Sequence, residues 1–213
     1  MMTLSLLGKK IGMTQVFNDK GLAVPVTVVK IGENIITQKL SKESNGYEGI
    51  QVGGFAVKES SLNKPKLGHF KKVNLPTLSP LKEIRLTDAT SFNVGDALPV
   101  EEVLKVGSLV DVRGRSIGKG FQGTVKRYNF GRGPMSHGSK FHRSMGSIGA
   151  GTTPGRVFRG VGMPGRMGGE NVCVRHLQVV QIDLEKKVVL IKGAVPGVEG
   201  GLLTIKPSKT KWN

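Results

Sequence analysis

The chain has 213 residues, 38% of them hydrophobic, with a formal net charge of +17 from 32 Lys and Arg against 15 Asp and Glu. That length allows one substantial domain or two small ones. An imbalance this large calls for a polyanionic partner, nucleic acid or an anionic membrane, and argues against an ordinary mixed-sign surface.

The 31 glycines mean that much of the backbone serves something other than helix and sheet packing. Cys173 is the only cysteine, which excludes an intramolecular disulfide and a cysteine-cluster metal site and fits a reducing compartment. Met1–Lys10 has no apolar run of signal-peptide length and no transit-peptide character, and no stretch reaches transmembrane length. The expectation is a protein that stays where it is made.

Leu4–Phe17, Leu22–Ile31, Asn34–Leu40 and Tyr47–Phe55 read as strands rich in Val, Ile and Thr, with Asn18–Gly21 and Gly32–Asn34 as turns. Pro25 argues that the second run is an edge or a bulge. Lys64–Val73 predicts a short helix, with Leu67, Phe70 and Val73 on one face and Pro65 in its first turn. Leu81–Leu86 and Ser108–Arg113 return to strand, and Val100–Leu104 reads as a loop packed back on the core. Val172–Asp183 and Lys187–Gly193 form a hairpin around Leu184–Lys186. A last strand, Leu202–Ile205, leads into a basic tail of Lys206, Lys209, Lys211 and Trp212. Short strands separated by turns favour a mainly β fold with minor α, a barrel or sandwich rather than a doubly wound sheet. We place the β-barrel in 1–111 and 170–213, with 112–169 as a long, largely irregular insertion.

The insertion carries the charge anomaly. Its 58 residues contain no Asp or Glu, 11 Lys and Arg, 16 glycines and two histidines. The rest of the chain has 21 basic against 15 acidic residues, close to ordinary. A structureless loop of this length is uncommon in a compact domain and cannot bury enough apolar surface to order itself, so it is disordered or ordered by a partner. Phe121, Tyr128, Phe130, Phe141 and Phe158 favour the partner, because RNA-binding extensions stack aromatics on unpaired bases. Glycines let such a backbone approach phosphates closely. Lys119–Asn129 is the part expected to be helical, presenting Lys119, Lys126 and Arg127.

Other chemistry is weakly signalled. Gly118–Gly123 matches G-x-G-x-x-G, but the fingerprint needs a βαβ unit and an acid about 20 residues on, and no acid follows until Glu170. That leaves a nucleotide-cofactor barrel enzyme as a poor alternative. His137 and His142 lack the further ligands of a metal site, and hydrogen bonding or stacking on RNA suits them better. His69 and His176 read as packed or surface residues. No catalytic pairing of acids and no nucleophile context is present, so no enzyme and no cofactor are expected beyond Mg²⁺ in an RNA environment. A membrane-surface binder would need a broad amphipathic helix, which the glycines oppose.

Leu7-Gly-Lys-Lys-Ile-Gly-Met-Thr14, Gly118-Lys-Gly-Phe-Gln-Gly-Thr-Val-Lys-Arg127, Asn129-Phe130, Ser147-Ile-Gly149, Thr153-Pro-Gly155, Met163-Pro-Gly-Arg-Met-Gly168 and Gly193-Ala-Val-Pro-Gly197 together resemble large-subunit ribosomal protein number three of the bacterial and organellar type. The resemblance runs in order along nearly the whole chain. It implies a translation-protein-type β-barrel with an internal loop running toward the peptidyl-transferase region, direct binding of large-subunit rRNA, and a part in early subunit assembly. Neighbouring large-subunit proteins would be its other partners, without membrane association or homo-oligomers. Its place would be the ribosome of a bacterial cytoplasm or a plastid stroma. The expected rRNA-binding set on the barrel is Lys9, Lys10 and Arg175. In the loop it is Arg113, Arg115, Lys119, Phe121, Lys126, Arg127, Tyr128, Phe130, Arg132, His137, Lys140, Phe141, His142, Arg143, Arg156, Arg159 and Arg166. Gly149, Ala150, Gly151, Thr152 and Thr153 form the expected tip near the peptidyl-transferase region. Thr152 departs from the family, because some bacterial relatives carry an amide-methylated Gln there, so that modification is not expected.

Overall fold

A computed structural model describes residues 4–209; Lys211 and Trp212 of the basic tail lie outside the described residues. In chain order the elements are β1 (Leu6–Phe17), β2 (Ala23–Ile31), β3 (Ile35–Leu40), α1 (Lys42–Asn45), β4 (Gly49–Ala56), α2 (Lys64–Lys72), β5 (Leu78–Arg85), α3 (Val100–Val103), β6 (Leu109–Arg115), β7 (Gly120–Gln122), α4 (Thr124–Tyr128), β8 (Gly165–Met167), β9 (Asn171–Asp183), β10 (Val188–Lys192) and β11 (Leu202–Pro207). The fold is mainly β. The chain divides into two compact units, residues 1–115 with 171–213, and Ser116–Glu170.

In the first unit six strands close a barrel in the order β1-β11-β6-β9-β10-β2, every neighbouring pair antiparallel. Its interior follows the period-2 alternation of strands. Val110 and Val112, Val189 and Ile191, and Leu203 and Ile205 point inward and are fully buried. Each such side chain contributes about 1.5–3 kcal/mol by leaving water. Pro25 does not mark an edge, since β2 is paired on both sides. It sits just beyond the last β10–β2 partner pair, Lys192↔Val26, where its missing N–H costs no ladder bond. Its carbonyl still accepts the Gly193 N–H at 2.9 Å.

The strands at Ile35–Leu40, Gly49–Ala56 and Leu78–Arg85 do not join the barrel. They form a separate antiparallel sheet, β3-β4-β5, that shares one hydrophobic core with it through Ile36, Ile50, Val52 and Ile84. The α2 helix forms as its spacing predicts, with Phe70 as its buried residue and Pro65 in its first turn. Val100–Leu104 packs on the core as expected, but as a single helical turn rather than a loop, burying Val103 and Leu104.

The junction between barrel and sheet is a backbone contact. Gly32 lies so close to the Gly54 carbonyl that a Cβ would collide with it, and the Glu33 N–H donates to that same oxygen at 2.7 Å. Asn34, fully buried at φ 51°, fixes the turn beside it. Its Oδ1 accepts the Leu7 N–H at 2.7 Å, while Nδ2 donates to the Gly32 carbonyl at 2.8 Å and the Leu7 carbonyl at 3.3 Å.

Candidate nucleic-acid interface

The second unit is an extension on a hairpin stem. The Ser116 N–H donates to the Glu170 carbonyl at 2.8 Å, the Glu170 N–H to Ser116 Oγ at 3.2 Å, and the Lys119 N–H to the Met167 carbonyl at 2.9 Å. The ladder continues as β7 against β8, with Phe121 opposite Arg166. The unit begins at Ser116 because β6 and β9 stay paired as far as Arg115↔Asn171. The barrel therefore takes four residues, 112–115, that the composition boundary assigned to the loop.

Helix is confined to α4. Lys119–Gln122, expected to be helical, lies in the stem, where cross-strand pairing competes with and defeats a helix start. Gly123 precedes the helix and Asn129, at φ 58°, ends it. This also removes the nucleotide fingerprint: three of its six residues form a strand, and only a five-residue helix follows. From Asn129 to Pro164 the chain runs without helix or strand, held by local turns.

Several of the expected contact residues are engaged within the extension itself. Arg127 turns across to the returning arm, donating to the Met163 carbonyl at 2.6 Å with its guanidinium 5.1 Å from the Tyr128 ring. A Cβ at its neighbour Gly165 would displace that guanidinium. Tyr128 and Phe130 stand 6.1 Å apart and both lie against Gly162, where a Cβ would be 3.1–3.3 Å from their rings. Phe141 packs against Gly133, and the Gly133 N–H donates to the His142 carbonyl at 3.1 Å. The His142 ring shares a hydrogen bond with the Pro134 carbonyl at 3.0 Å, which fixes its plane. His137 occupies a turn at φ 59°. These residues shape the arm; Tyr128, Phe130 and Phe141 still expose one side.

The remaining residues face outward. Phe121 is 77% exposed and Phe158 58%, with Arg156 5.4 Å over the latter's ring. Lys119, Lys126, Arg132, Lys140, Arg143, Arg156, Arg159 and Arg166 are all exposed, as is the tip Gly149–Thr153. The tip turns on Gly151 at φ 96°, with the Gly155 N–H donating to the Gly151 carbonyl at 3.1 Å. Among the described residues, none of the nine Lys and Arg of this unit meets a carboxylate. No group of three or more His, Cys, Asp or Glu that could hold a metal ion occurs among them either. Only Thr124 of the whole unit is buried. A chain this glycine-rich and coreless, lined by unpaired cations and aromatic faces, has the chemistry of a polynucleotide ligand: charge for phosphates, rings for bases.

The barrel residues of the expected set behave differently. Lys10 Nζ donates to the carbonyls of Gly197 at 3.1 Å and Val195 at 3.3 Å, pinning the loop before β11. Lys9 Nζ lies 4.4 Å over the Phe55 ring. Arg113 and Arg175 are exposed on β6 and β9, and Arg115 closes β6. The two other histidines are structural: His69 shares a hydrogen bond with Gln51 Oε1 at 3.1 Å and His176 with Ser208 Oγ at 3.0 Å.

The family model described as ribosomal protein L3 matches residues 72–187. The chain is 52% identical over 208 residues to the large ribosomal subunit protein uL3 of Nostoc sp., covering 98% of each. It is 53% identical over 210 residues to that of Gloeothece citriformis, covering 98% of this chain and 99% of the relative. With that of Synechococcus sp. it shares 50% identity over 213 residues, covering 100% of this chain and 99% of the relative. The chain belongs to the ribosomal protein L3 family.

One glycine tests the pairing of the stem. Gly168 sits at φ 71°, and a Cβ there would collide with the Ile117 carbonyl. Gly168→Ala should splay the Ser116–Glu170 ladder and speed amide exchange at Lys119 by at least about tenfold, since a left-handed non-glycine residue costs about 1–2 kcal/mol before the clash is counted. The barrel melt should not move. Gly123→Ala, where a Cβ meets open space, is the matched control; equal exchange in the two variants contradicts that pairing.

Proposed function

We propose that this chain is a structural constituent of the large ribosomal subunit, not an enzyme, that binds large-subunit rRNA directly and acts early in subunit assembly. Ser116–Glu170 is the main RNA-binding arm, with its Gly149–Thr153 tip directed toward the peptidyl-transferase region. Its place is the ribosome, beside neighbouring large-subunit proteins. Family membership supports this reading. The observation that carries it is a 55-residue unit with nine Lys and Arg, one acid and a single buried residue. Such a unit gains little from its own packing and is suited to being ordered by a polyanion.

With roughly six to ten phosphate contacts, affinity for a large-subunit rRNA fragment should fall by about 10³–10⁵ between 50 and 200 mM salt. Filter binding across that range checks it, and a flat response excludes direct phosphate recognition.

A further inference from the structure

A second cluster of cations lies wholly on the barrel unit, in an open groove of about 360 Å³ between β5 and the outer face of β6 and β11. Lys82 and Arg85 come from β5, Arg113 from β6, Lys206 from β11 and Lys209 from the segment after it. The pairing explains the convergence. Arg113 stands opposite Thr204, and Lys206 follows two residues on along the same outward face, while Leu203 and Ile205 point into the barrel. Lys82 and Arg85 are exposed positions on β5, whose Ile84 is buried in the core.

The groove has one carboxylate in its wall, Glu83, against five cations. The Tyr47 hydroxyl donates to Glu83 Oε2 at 2.7 Å, and this bond raises the phenol above its usual pKa so that it keeps its proton. Asp111, opposite Lys206 in the ladder, is buried with its Oδ1 accepting the His176 N–H at 3.2 Å. Among the described residues none of the five cations forms an ion pair. Like charges gathered from three separate stretches of chain repel one another unless a polyanion lies between them. A protein partner would want a desolvated aromatic or aliphatic anchor, and the groove's one aliphatic lining residue, Ile84, is 7% exposed.

We propose that this groove is a second RNA-binding site, which holds the phosphate backbone of an RNA segment independently of the arm. The proposal rests on the RNA-binding reading given above. It assigns RNA contact to Lys82, Arg85, Lys206 and Lys209, residues of ordinary composition that the acid-free window does not flag.

The test uses the full chain and a large-subunit rRNA fragment, with the slope of log affinity against log salt as the readout. Replacing Lys82, Arg85, Arg113 and Lys209 by Gln removes four exposed groove cations and leaves half-buried Lys206 in place. The slope should become shallower by about 3.6, on the scale of about 0.9 per phosphate contact. A control with Gln at Lys58, Lys64, Lys66 and Lys71 loses the same charge outside the groove and should change it by less than about one. If the fourfold groove variant does not fold, Lys82→Gln with Arg85→Gln alone should lower the slope by between about one and two. Equal slopes for groove and control variants, with the unmodified chain still steep, overturn the groove site and leave the arm's role standing. A flat slope for the unmodified chain overturns both.

Discussion

Excising Ser116–Glu170 and joining Arg115 to Asn171 through an Asn-Gly turn should leave a barrel that melts cooperatively at or above the temperature of the intact chain, while its affinity for large-subunit rRNA falls by at least about a hundredfold. The structural half follows from register. Arg115 and Asn171 are antiparallel partners, so a two-residue turn of the type that suits the strand twist closes them as a hairpin. Every buried hydrophobic residue lies outside the excised segment. Shortening the closed loop also lowers its entropy cost, by about 2–3 kcal/mol at the logarithmic rate. The binding half follows from losing nine cations and the aromatic faces of Phe121 and Phe158 together. Circular dichroism melts and filter binding on one preparation read both. An unfolded remnant, or one that binds as tightly as the whole chain, would show that the division into barrel and arm is wrong.

The largest single-residue effect on stability is expected at Asn34. Asn34→Leu removes the partners of the Leu7 N–H and of the Gly32 carbonyl in a fully buried site, while the Leu7 carbonyl keeps the Gly32 N–H at 2.9 Å. Unsatisfied buried groups cost about 1–3 kcal/mol each, and a branched side chain at φ 51° adds about 1 kcal/mol of backbone strain. We expect a loss of about 3–5 kcal/mol and a melting point lower by roughly 10–15 °C for a chain of this size. Asn34→Gly keeps the backbone conformation and loses the same bonds, so it should recover about 1 kcal/mol of that loss. If Asn34→Leu melts within two or three degrees of the unmodified chain, the side chain does not hold barrel and sheet together. RNA affinity at low temperature, where the variant is still folded, should be unchanged.

Much of the strand framework was legible because it depends on local pattern. Val110 and Val112, or Leu203 and Ile205, alternate with outward residues along a few positions, and that period needs no partner to be seen. Partner choice is different. Nothing in Ile35–Leu40 says that it pairs with Gly49–Ala56 instead of joining the barrel, because each strand has the same appearance whichever neighbour it finds. Asn34 is readable as a turn residue but not as the centre of three buried hydrogen bonds, two of which depend on Leu7, 27 positions away. Gly120–Gln122 forms a strand where its sequence suggests helix, because helix propensity is a weak prior that pairing with Gly165–Met167 overrides.

The arm divides the same way. Its charge, its missing acids and its glycines are properties of composition, so 112–169 stood out before any fold was known, and with it the expectation of a polyanionic partner. Which of its residues face outward is a property of three-dimensional packing. Arg127 carries the same charge as Arg159, yet it spends its guanidinium on the Met163 carbonyl of the returning arm, while Arg159 stays exposed. The barrel groove is the converse case. Lys82, Arg85, Arg113 and Lys206 are scattered over more than a hundred residues, among ordinary acids, and only the strand order β1-β11-β6 beside β5 brings them to one wall. Sequence determined that this protein carries a large local excess of positive charge on a β framework. Tertiary structure decided where that charge can reach a ligand, because reach depends on which side chains the fold has already engaged.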